Sequence, residues 1–328
     1  MKRKTFTGIH IAAVAGAVGA MICLVFAPAE AIESARYGLS LCAELIVPSL
    51  LPFFTASALL IRLQVPSMLG AGLASSAQKL WGVSGSGATA FLSGICGGYP
   101  LGAQTVAEMY AEGQLSKEES ERLLAFCNNS GPSFCIGVIG SGVFASRRAG
   151  LVLYAIHVFS ALLVGVFFRK GADCAASPCP SKDPPRFSSA LVAAIRQSVS
   201  AVLSVCGFVV CFCVLSGLLE SLGVLHTAAA VLSRLFRADE NAVHALLTGL
   251  LELGSGIGRL RGLSPSPLLF ALAAFLTGWG GLSVIFQTAA VLSESDLSLR
   301  RHLIGRLLSG VISALLAAAA GNFLFPSG

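Results

Sequence analysis

Polar residues inside long apolar runs mark the positions where this sequence could bind a small molecule. Asn128 and Asn129 stand side by side in the uncharged run from Leu123 to Ser146, and their amides offer both hydrogen-bond donors and acceptors. Glu252 is the sole Asp, Glu, Lys or Arg between Asn241 and Gly258. Paired amides in such a setting are typical of a polar ligand, and an isolated carboxylate is typical of a site for a coupling cation or a proton.

Both positions belong to segments rich in glycine and proline that interrupt helices. The backbone groups freed by a break cannot face lipid, so each break must be buried in protein or line a polar cavity. We predict Glu252 as a coupling or gating carboxylate. We predict that solute is bound by the residues of the four breaks, namely Gly97, Gly98, Tyr99, Pro100, Asn128, Asn129, Ser130, Pro132, Ser133, Gly254, Ser255, Gly280, Gly281, Ser283 and Gln287.

Structural alternatives remain open at this stage. Small residues also let membrane helices approach closely, which explains Gly137 and Gly140 as packing positions. Glu252 could form an ion pair with Arg259 or Arg261. His157, alone on an apolar helix, is interpreted as a packing residue.

The elements that must position these residues are transmembrane helices. Of the 328 residues, 55% are apolar and 12% are charged, against about 25% charged in an average soluble domain. Uncharged runs such as 5–29, 149–168 and 197–219 match the roughly 20 residues that a spanning helix needs. The net charge of +6 is divided among short clusters that flank these runs, one of them Arg300, Arg301 and Arg306. Such clusters mark membrane topology, so the charge predicts a lipid bilayer as partner and no nucleic acid.

The sequence predicts neither an enzyme nor a metal or cofactor site. It contains no His-Glu-x-x-His, Gly-x-Ser-x-Gly or Gly-x-x-x-x-Gly-Lys-Ser/Thr motif. Coupling to Na⁺ or H⁺ is left open. Eight of the ten cysteines lie in apolar stretches and act as small hydrophobes. The other two, Cys174 and Cys179, lie in a polar loop, where their spacing permits a disulfide without requiring one.

The chain divides into four parts. Residues 169–187 are polar and contain four prolines, which predicts a linker. We expect an N-terminal transmembrane helix and loop at 1–36, a first membrane repeat at 37–168 and a second at 188–328. The small residues around Ala27 also fit a cleavable signal peptide, but the preceding run is long enough to span, which favours an uncleaved helix.

Two pairs of matching segments support the internal repeat. Phe91 to Ile95 matches Leu246 to Leu250, and Ala125 to Pro132 matches Ala274 to Gly281. If the basic N-terminus is cytoplasmic, the basic linker is cytoplasmic too and the second half begins inside. The sequence therefore predicts an all-α integral membrane protein with two inverted repeats, broken helices and re-entrant hairpins.

As a set, these motifs resemble the nucleoside-recognition or Gate-domain membrane proteins, and among them the YlbJ-type sporulation integral membrane proteins of spore-forming bacteria. The resemblance extends from about Tyr37 to Asn322. The residues that carry it are Ser93 to Gly102, Phe126 to Ser133 followed by Gly137 to Gly140, Gly249 to Glu252, and Gly278 to Gln287.

The resemblance implies a fold related to the core of concentrative nucleoside carriers. It also implies a role in endospore maturation, where this branch is associated with delivering dipicolinic acid toward the forespore. The expected function is transport of a small anionic solute, with a nucleoside-like solute or a non-transporting structural or signalling role as alternatives. The expected location is the cell membrane, with the mother-cell-derived outer forespore membrane as a candidate. The sequence leaves the oligomeric state open, with a homo-oligomer as one option.

Overall fold

Regular structure is helical throughout the part of the chain that the computed structural model describes, which is residues 2–63, 65–169 and 186–325. Two segments in it are π-helical, Cys42–Ile46 and Ser133–Ser141. The α-helices in these ranges are α1 (Lys2–Phe26), α2 (Pro28–Leu41), α3 (Val47–Arg62), α4 (Val65–Trp81), α5 (Gly85–Gly97), α6 (Leu101–Ala111), α7 (Lys117–Leu123), α8 (Arg147–Phe167), α9 (Phe187–Ser221), α10 (Val224–Phe236), α11 (Glu240–Leu251), α12 (Leu253–Arg259), α13 (Pro267–Trp279), α14 (Gly281–Leu292) and α15 (Arg300–Leu324).

Several of these helices are long and apolar enough to cross a bilayer. Within the described residues, four runs pass by length and composition: α8, α9, Pro267–Leu292 and α15. A fifth passes if Val14–Phe26 and Pro28–Ile46, which meet at a bend of 103°, count as one span. The chain is therefore an all-helical, multi-pass integral membrane protein, which confirms the predicted class.

The helices are interrupted at or next to the four glycine-rich segments that predict breaks. The first break, Gly98 to Pro100, separates α5 from α6, and the second, residues 124–132, lies between α7 and the second π-helical segment. The third break is Glu252, between α11 and α12, and the fourth is Gly280, between α13 and α14.

Side-chain caps set several of the helix starts. Ser116 and Glu119 have the spacing of a capping box, which predicts a helix start here, and Ser116 Oγ accepts a hydrogen bond from the Glu119 N–H at 3.2 Å at the start of α7. The carboxylate of Glu119 does not return to Ser116 but accepts from the Ser84 N–H at 2.5 Å. Near the N-terminus, the stretch expected to be a loop up to residue 36 is helical, because α2 already begins at Pro28.

Glycines allow the long helices to pack closely. A side-chain carbon added at Gly278 of α13 would lie 2.5 Å from the Cα of Gly310 on α15, so the two backbones are in direct contact. The eight cysteines in the described ranges form no disulfide. Cys174, Cys179 and most of the predicted linker lie outside the described residues.

Candidate functional site

The helix breaks contact one another. A side-chain carbon added at Gly98 in the first break would lie 3.0 Å from the backbone nitrogen of Gly131 in the second. One added at Gly281, beside the fourth break, would lie 3.1 Å from the backbone nitrogen of Leu253, beside the third. Gly98 and Gly281 have φ angles of +88° and +82°, a conformation that favours glycine. Because glycine has no side chain, the backbones of breaks that are far apart in sequence can lie in direct contact here.

Three of the breaks enclose a cavity of about 110 Å³, here called the central cavity. Its size is of the same order as the roughly 150 Å³ apolar cavity that binds benzene in an engineered protein. Most of the wall is apolar, and its polar side chains are few. The lining residues are Leu41, Leu45, Ile46, Leu50, Gly97, Gly98, Tyr99, Ser130, Gly131, Ser133, Phe134, Val205, Val209, Glu252, Leu253, Gly254, Val284 and Gln287.

Glu252 is the carboxylate of the central cavity, and it caps α12. One of its oxygens accepts from the Gly254 N–H at 2.9 Å and the other from the Ser255 N–H at 2.5 Å. The third break therefore falls at Glu252 itself, and the expected interruption at Gly254 and Ser255 is wrong because this cap holds both residues in the first helical turn. The carboxylate is buried, with 4% of the residue exposed.

The sequence-based alternative for Glu252, an ion pair with a nearby arginine, is not found among the described ion pairs. Arg259 Nη2 instead lies 3.3 Å from a carboxylate oxygen of Glu220. Arg261 donates to the Gly142 carbonyl at 3.2 Å. The carboxylate of Glu252 is thus balanced by backbone N–H groups rather than by a cation.

A buried arginine lies directly behind the wall of the central cavity. Arg306 of α15 is 0% exposed, and it donates to the Tyr99 hydroxyl at 3.3 Å and to Asn129 Oδ1 at 3.4 Å. The Tyr99 hydroxyl in turn donates to the Thr277 carbonyl at 2.5 Å. A side-chain carbon added at Gly280 would lie 3.5 Å from Tyr99 Cζ. Tyr99 therefore joins the first and fourth breaks and separates the guanidinium from the cavity.

The paired asparagines lie in the layer behind the cavity. Both are fully buried. Asn128 donates to Thr288 Oγ1 at 2.9 Å, and Asn129 donates to the Phe126 carbonyl at 2.7 Å. Neither asparagine lines the central cavity, whose lining from this segment begins at the next residue, Ser130. Their predicted contact with solute therefore stays a prediction.

His157 is a buried hydrogen-bond acceptor for this layer. Its Nε2 accepts from the Ser130 N–H at 2.9 Å, which places its proton on Nδ1. His157 is thus a buried packing residue with a hydrogen bond, and that bond also fixes the backbone of the second break.

The other predicted site residues divide by position. Gly97, Gly98, Ser133, Gly254 and Gln287 line the central cavity with Tyr99, Ser130 and Glu252. Ser283 is buried and accepts from Gln287 Nε2 at 3.2 Å. The remaining members lie outside the lining of the central cavity. Pro132 precedes the second π-helical segment, Gly280 is the fourth break, Gly281 begins α14, and Pro100 and Ser255 line two outer cavities.

The two outer cavities flank the central one. The first, about 560 Å³, is here called vestibule A and is lined by Pro100, Gln104, Glu108, Gln197 and Glu294 among others. It shares Val205 and Gln287 with the central cavity. The second, about 640 Å³, is called vestibule B, and its lining includes Glu30, Tyr37, Glu220, Ser255 and Arg259. Ser255 joins vestibule B to the Glu252 cap of the central cavity.

Sequence reasoning missed Arg306, which it grouped with the basic residues at the start of α15. The available signal was spacing: His302, Arg306, Ser309 and Ser313 recur at three- and four-residue intervals and therefore form one helical stripe. All four are fully buried. His302 Nδ1 lies 2.9 Å from the Leu124 carbonyl, which ties this stripe to the start of the second break.

Comparisons with known proteins give one relative and no structural counterpart. No family model matches the chain, and no solved structure matches it. The sporulation integral membrane protein YlbJ of Bacillus subtilis (strain 168) is 31% identical over 313 residues, which cover 88% of this chain and 77% of that protein. At this identity and coverage, the chain belongs to the YlbJ family of sporulation integral membrane proteins.

Proposed function

We propose that this protein carries a small anionic solute across the membrane along one face of α9. The observation that carries the proposal is the order of the three cavities on this helix. Gln197, Ala201 and Ser204 line vestibule A, Val205 and Val209 line the central cavity, and residues 213–221 contribute to vestibule B. Most of these positions are four residues apart, so they share one face of the helix.

The route has the length of a bilayer crossing. Gln197 and Glu220 are 23 residues apart, which at about 1.5 Å per residue is about 35 Å. The hydrocarbon core of a bilayer is roughly 30 Å thick. A solute that passes along this face would leave one aqueous vestibule, cross the small central cavity and enter the other vestibule.

The order of helices supports a repeat of the two halves. Each half has a long helical run (28–62 or α9), a shorter helix (α4 or α10), two helices interrupted by breaks, and a closing long helix that ends at Phe167 or Leu324. We propose that residues 37–168 and 188–328 are inverted repeats of a Gate-like fold, with re-entrant hairpins at the breaks. With the linker 169–187 on the cytoplasmic side, vestibule A faces the cytoplasm, because Gln197 lies near the start of α9.

The proposed solute is dipicolinate, delivered during endospore formation, and the proposed location is the outer forespore membrane. Family membership supports the sporulation role, and the buried charge of Arg306 supports an anion. The aromatic and apolar wall, which includes Tyr99 and Phe134, suits the flat ring of dipicolinate. It would also suit a nucleoside base, so a nucleoside is the second candidate.

Glu252 gives the proposal its coupling step. A carboxylate in the lining repels an anionic solute unless a cation accompanies it. We propose that Glu252, held in place by its helix cap, binds that cation, which is Na⁺ or H⁺. The predicted lining residues Gly98, Ser130 and Gln287 would contact the solute, and Asn129 would act through its hydrogen bond with Arg306.

Uptake by purified protein in proteoliposomes tests the proposal. Radiolabelled dipicolinate and uridine are supplied separately, with empty vesicles as the blank and imposed Na⁺ or pH gradients. We expect dipicolinate uptake above the blank and loss of gradient-driven accumulation in Glu252→Gln, since a neutral amide takes up no proton and does not balance the charge of Na⁺.

Glu44→Gln is the matched control, because Glu44 is an exposed carboxylate that hydrogen-bonds Ser40 and does not line the central cavity. It should keep the wild-type gradient dependence. If the protein takes up uridine and not dipicolinate, the substrate is of the nucleoside class and the proposal of dipicolinate is wrong. Uptake of neither solute by folded protein would overturn transport and favour the structural role.

A further inference from the structure

A second carboxylate, Glu108, lies in vestibule A at the end of α6. It is half-buried, and Gln197 Nε2 of α9 donates to its Oε1. Gln197 Oε1 accepts in turn from Arg62 Nη2 of α3 at 2.9 Å. Glu108 is therefore held by side chains from other elements rather than by a helix cap, and its second partner is Gln104 on its own helix.

The surroundings of Glu108 favour its neutral form. Burial raises the pKa of the Glu108 carboxyl from 4.5 to about 7, and Glu112 also raises it. Hydrogen bonds from Gln104 and Gln197 and the charge of Arg62 oppose this shift in pKa without cancelling it. Glu294, at the end of α14, is a second carboxylate that lines vestibule A, with an exposed side chain.

The position of Glu108 puts it beside the entry to the central cavity. Gln197, its partner, is on the α9 face that continues through Val205, which lines both vestibule A and the central cavity. No lysine or arginine lines vestibule A within the described residues. Arg62, the cation that acts on Glu108, is bound to Gln197 and does not line the cavity, so an entering anion is exposed to the carboxylates of Glu108 and Glu294.

We propose that Glu108 is a proton-binding site of vestibule A, and that it must be protonated for an anionic solute to pass from this vestibule into the central cavity. The proton comes from the water of the vestibule and removes the negative charge at the entry. This inference rests on the proposed transport of an anion. It differs from the role proposed for Glu252, which lies in the central cavity and is anchored by backbone N–H groups.

The test compares uptake against pH in proteoliposomes for the wild type, Glu108→Gln and Glu294→Gln. Wild-type dipicolinate uptake should fall as pH rises through about 7, because Glu108 then loses its proton. Glu108→Gln should keep uptake and lose this dependence, since the amide mimics the protonated acid. Glu294→Gln, which removes an exposed carboxylate from the same cavity, can change the level of uptake but should keep the wild-type dependence on pH.

Gln197→Met provides an independent check. It removes a hydrogen bond that stabilises the Glu108 carboxylate, so the midpoint of the pH profile should move to higher pH. A wild-type profile in both Glu108→Gln and Gln197→Met would overturn the proposal.

A measurement without solute separates this inference from the proposed function. The raised pKa means that folded protein holds the Glu108 proton more tightly than the unfolded chain does. The melting temperature of wild-type protein in detergent should therefore fall as pH rises from about 5 to about 8, and Glu108→Gln should flatten this decline. If wild-type protein carries no solute, transport and the entry role both fail, and the melting curves still decide whether Glu108 binds a proton. Equal pH dependence in the two proteins would overturn proton binding.

Discussion

Two arginines, Arg122 and Arg306, are buried to the same degree but differ in how their charge is balanced. They are 2% and 0% exposed, respectively. Arg122 donates to the Gly82 carbonyl and lies 3.7 Å from a carboxylate oxygen of Glu118. Arg306 makes two long hydrogen bonds to neutral groups, and its Nε has no partner among the described residues. No described ion pair joins Arg306 to a carboxylate.

The difference separates a structural charge from a charge available to a ligand. Removing a charge from water is costly unless partners replace its hydration, and a charge within a membrane protein is by default a sign of function. Arg122 has such partners in the Gly82 carbonyl and the Glu118 carboxylate. Arg306 lies one side chain behind the central cavity, and an anionic solute in that cavity would supply the missing countercharge.

Arg306→Met should have the largest effect on transport. Tyr99 separates Arg306 from the cavity, so the attraction between the guanidinium and the anion acts through space and is worth about 2 kcal/mol at an effective dielectric constant of about 20. Its loss should lower dipicolinate uptake by about tenfold or more. The melting temperature should stay equal or rise, because an apolar side chain of similar length no longer carries an unpaired charge. Arg306→Lys should retain partial uptake. Normal uptake by Arg306→Met would show that this arginine is structural like Arg122.

Arg122→Met should show the opposite pattern. It removes a hydrogen bond from a charged donor to the Gly82 carbonyl, so the free energy of unfolding should fall by about 2 kcal/mol. Uptake per folded molecule should match the wild type. Thermal denaturation in detergent and uptake normalised to folded protein measure the two effects. A specific loss of uptake at unchanged stability would break the contrast between the two arginines.

Asn129→Leu should have a smaller effect than either arginine substitution. It removes one of the two acceptors of Arg306, which should destabilise the fold by about 1 kcal/mol and lower uptake a few fold. Asn128→Leu is the matched control, because Asn128 contacts Thr288 and not Arg306. Thr288 Oγ1 keeps its hydrogen bond to the Val284 carbonyl at 3.0 Å. Equal losses of uptake in both variants would point to direct solute contact by the pair.

The positions of the helix breaks could be predicted from the sequence, because glycine and proline act locally on the backbone. The break after Gly97 and the one at Gly280 fall where those residues predict them. The third break was shifted to Glu252 by a side-chain cap, which composition alone does not locate. Which breaks contact each other depends on packing between distant segments. The sequence could therefore indicate that the breaks share a site, but not how the residues of that site are arranged.

The roles of the charged residues were harder to predict. Arg306 follows Arg300 and Arg301 in sequence and was interpreted with them as a marker of topology, yet helical rotation turns it into the protein interior. Glu108 opens the charged connector 108–122, whose composition predicts a place in water or at the membrane interface, but Glu108 is half-buried where Gln197 of α9 donates to its carboxylate. Glu252 was noticed because it is isolated in sequence. The role of a charged residue depends on its neighbours in the folded protein, which can differ from its neighbours in sequence.

The π-helical segment Cys42–Ile46 has a consequence for the length of related chains. It joins α2 to α3, and two of its residues, Leu45 and Ile46, line the central cavity. A π-helical turn of this kind holds one residue more than the α-helical turn it replaces. Relatives with an uninterrupted α-helix here should therefore be one residue shorter between positions 42 and 46 while α3 keeps its orientation. An alignment gap of one residue at this point would mark family members whose cavity wall has a different shape.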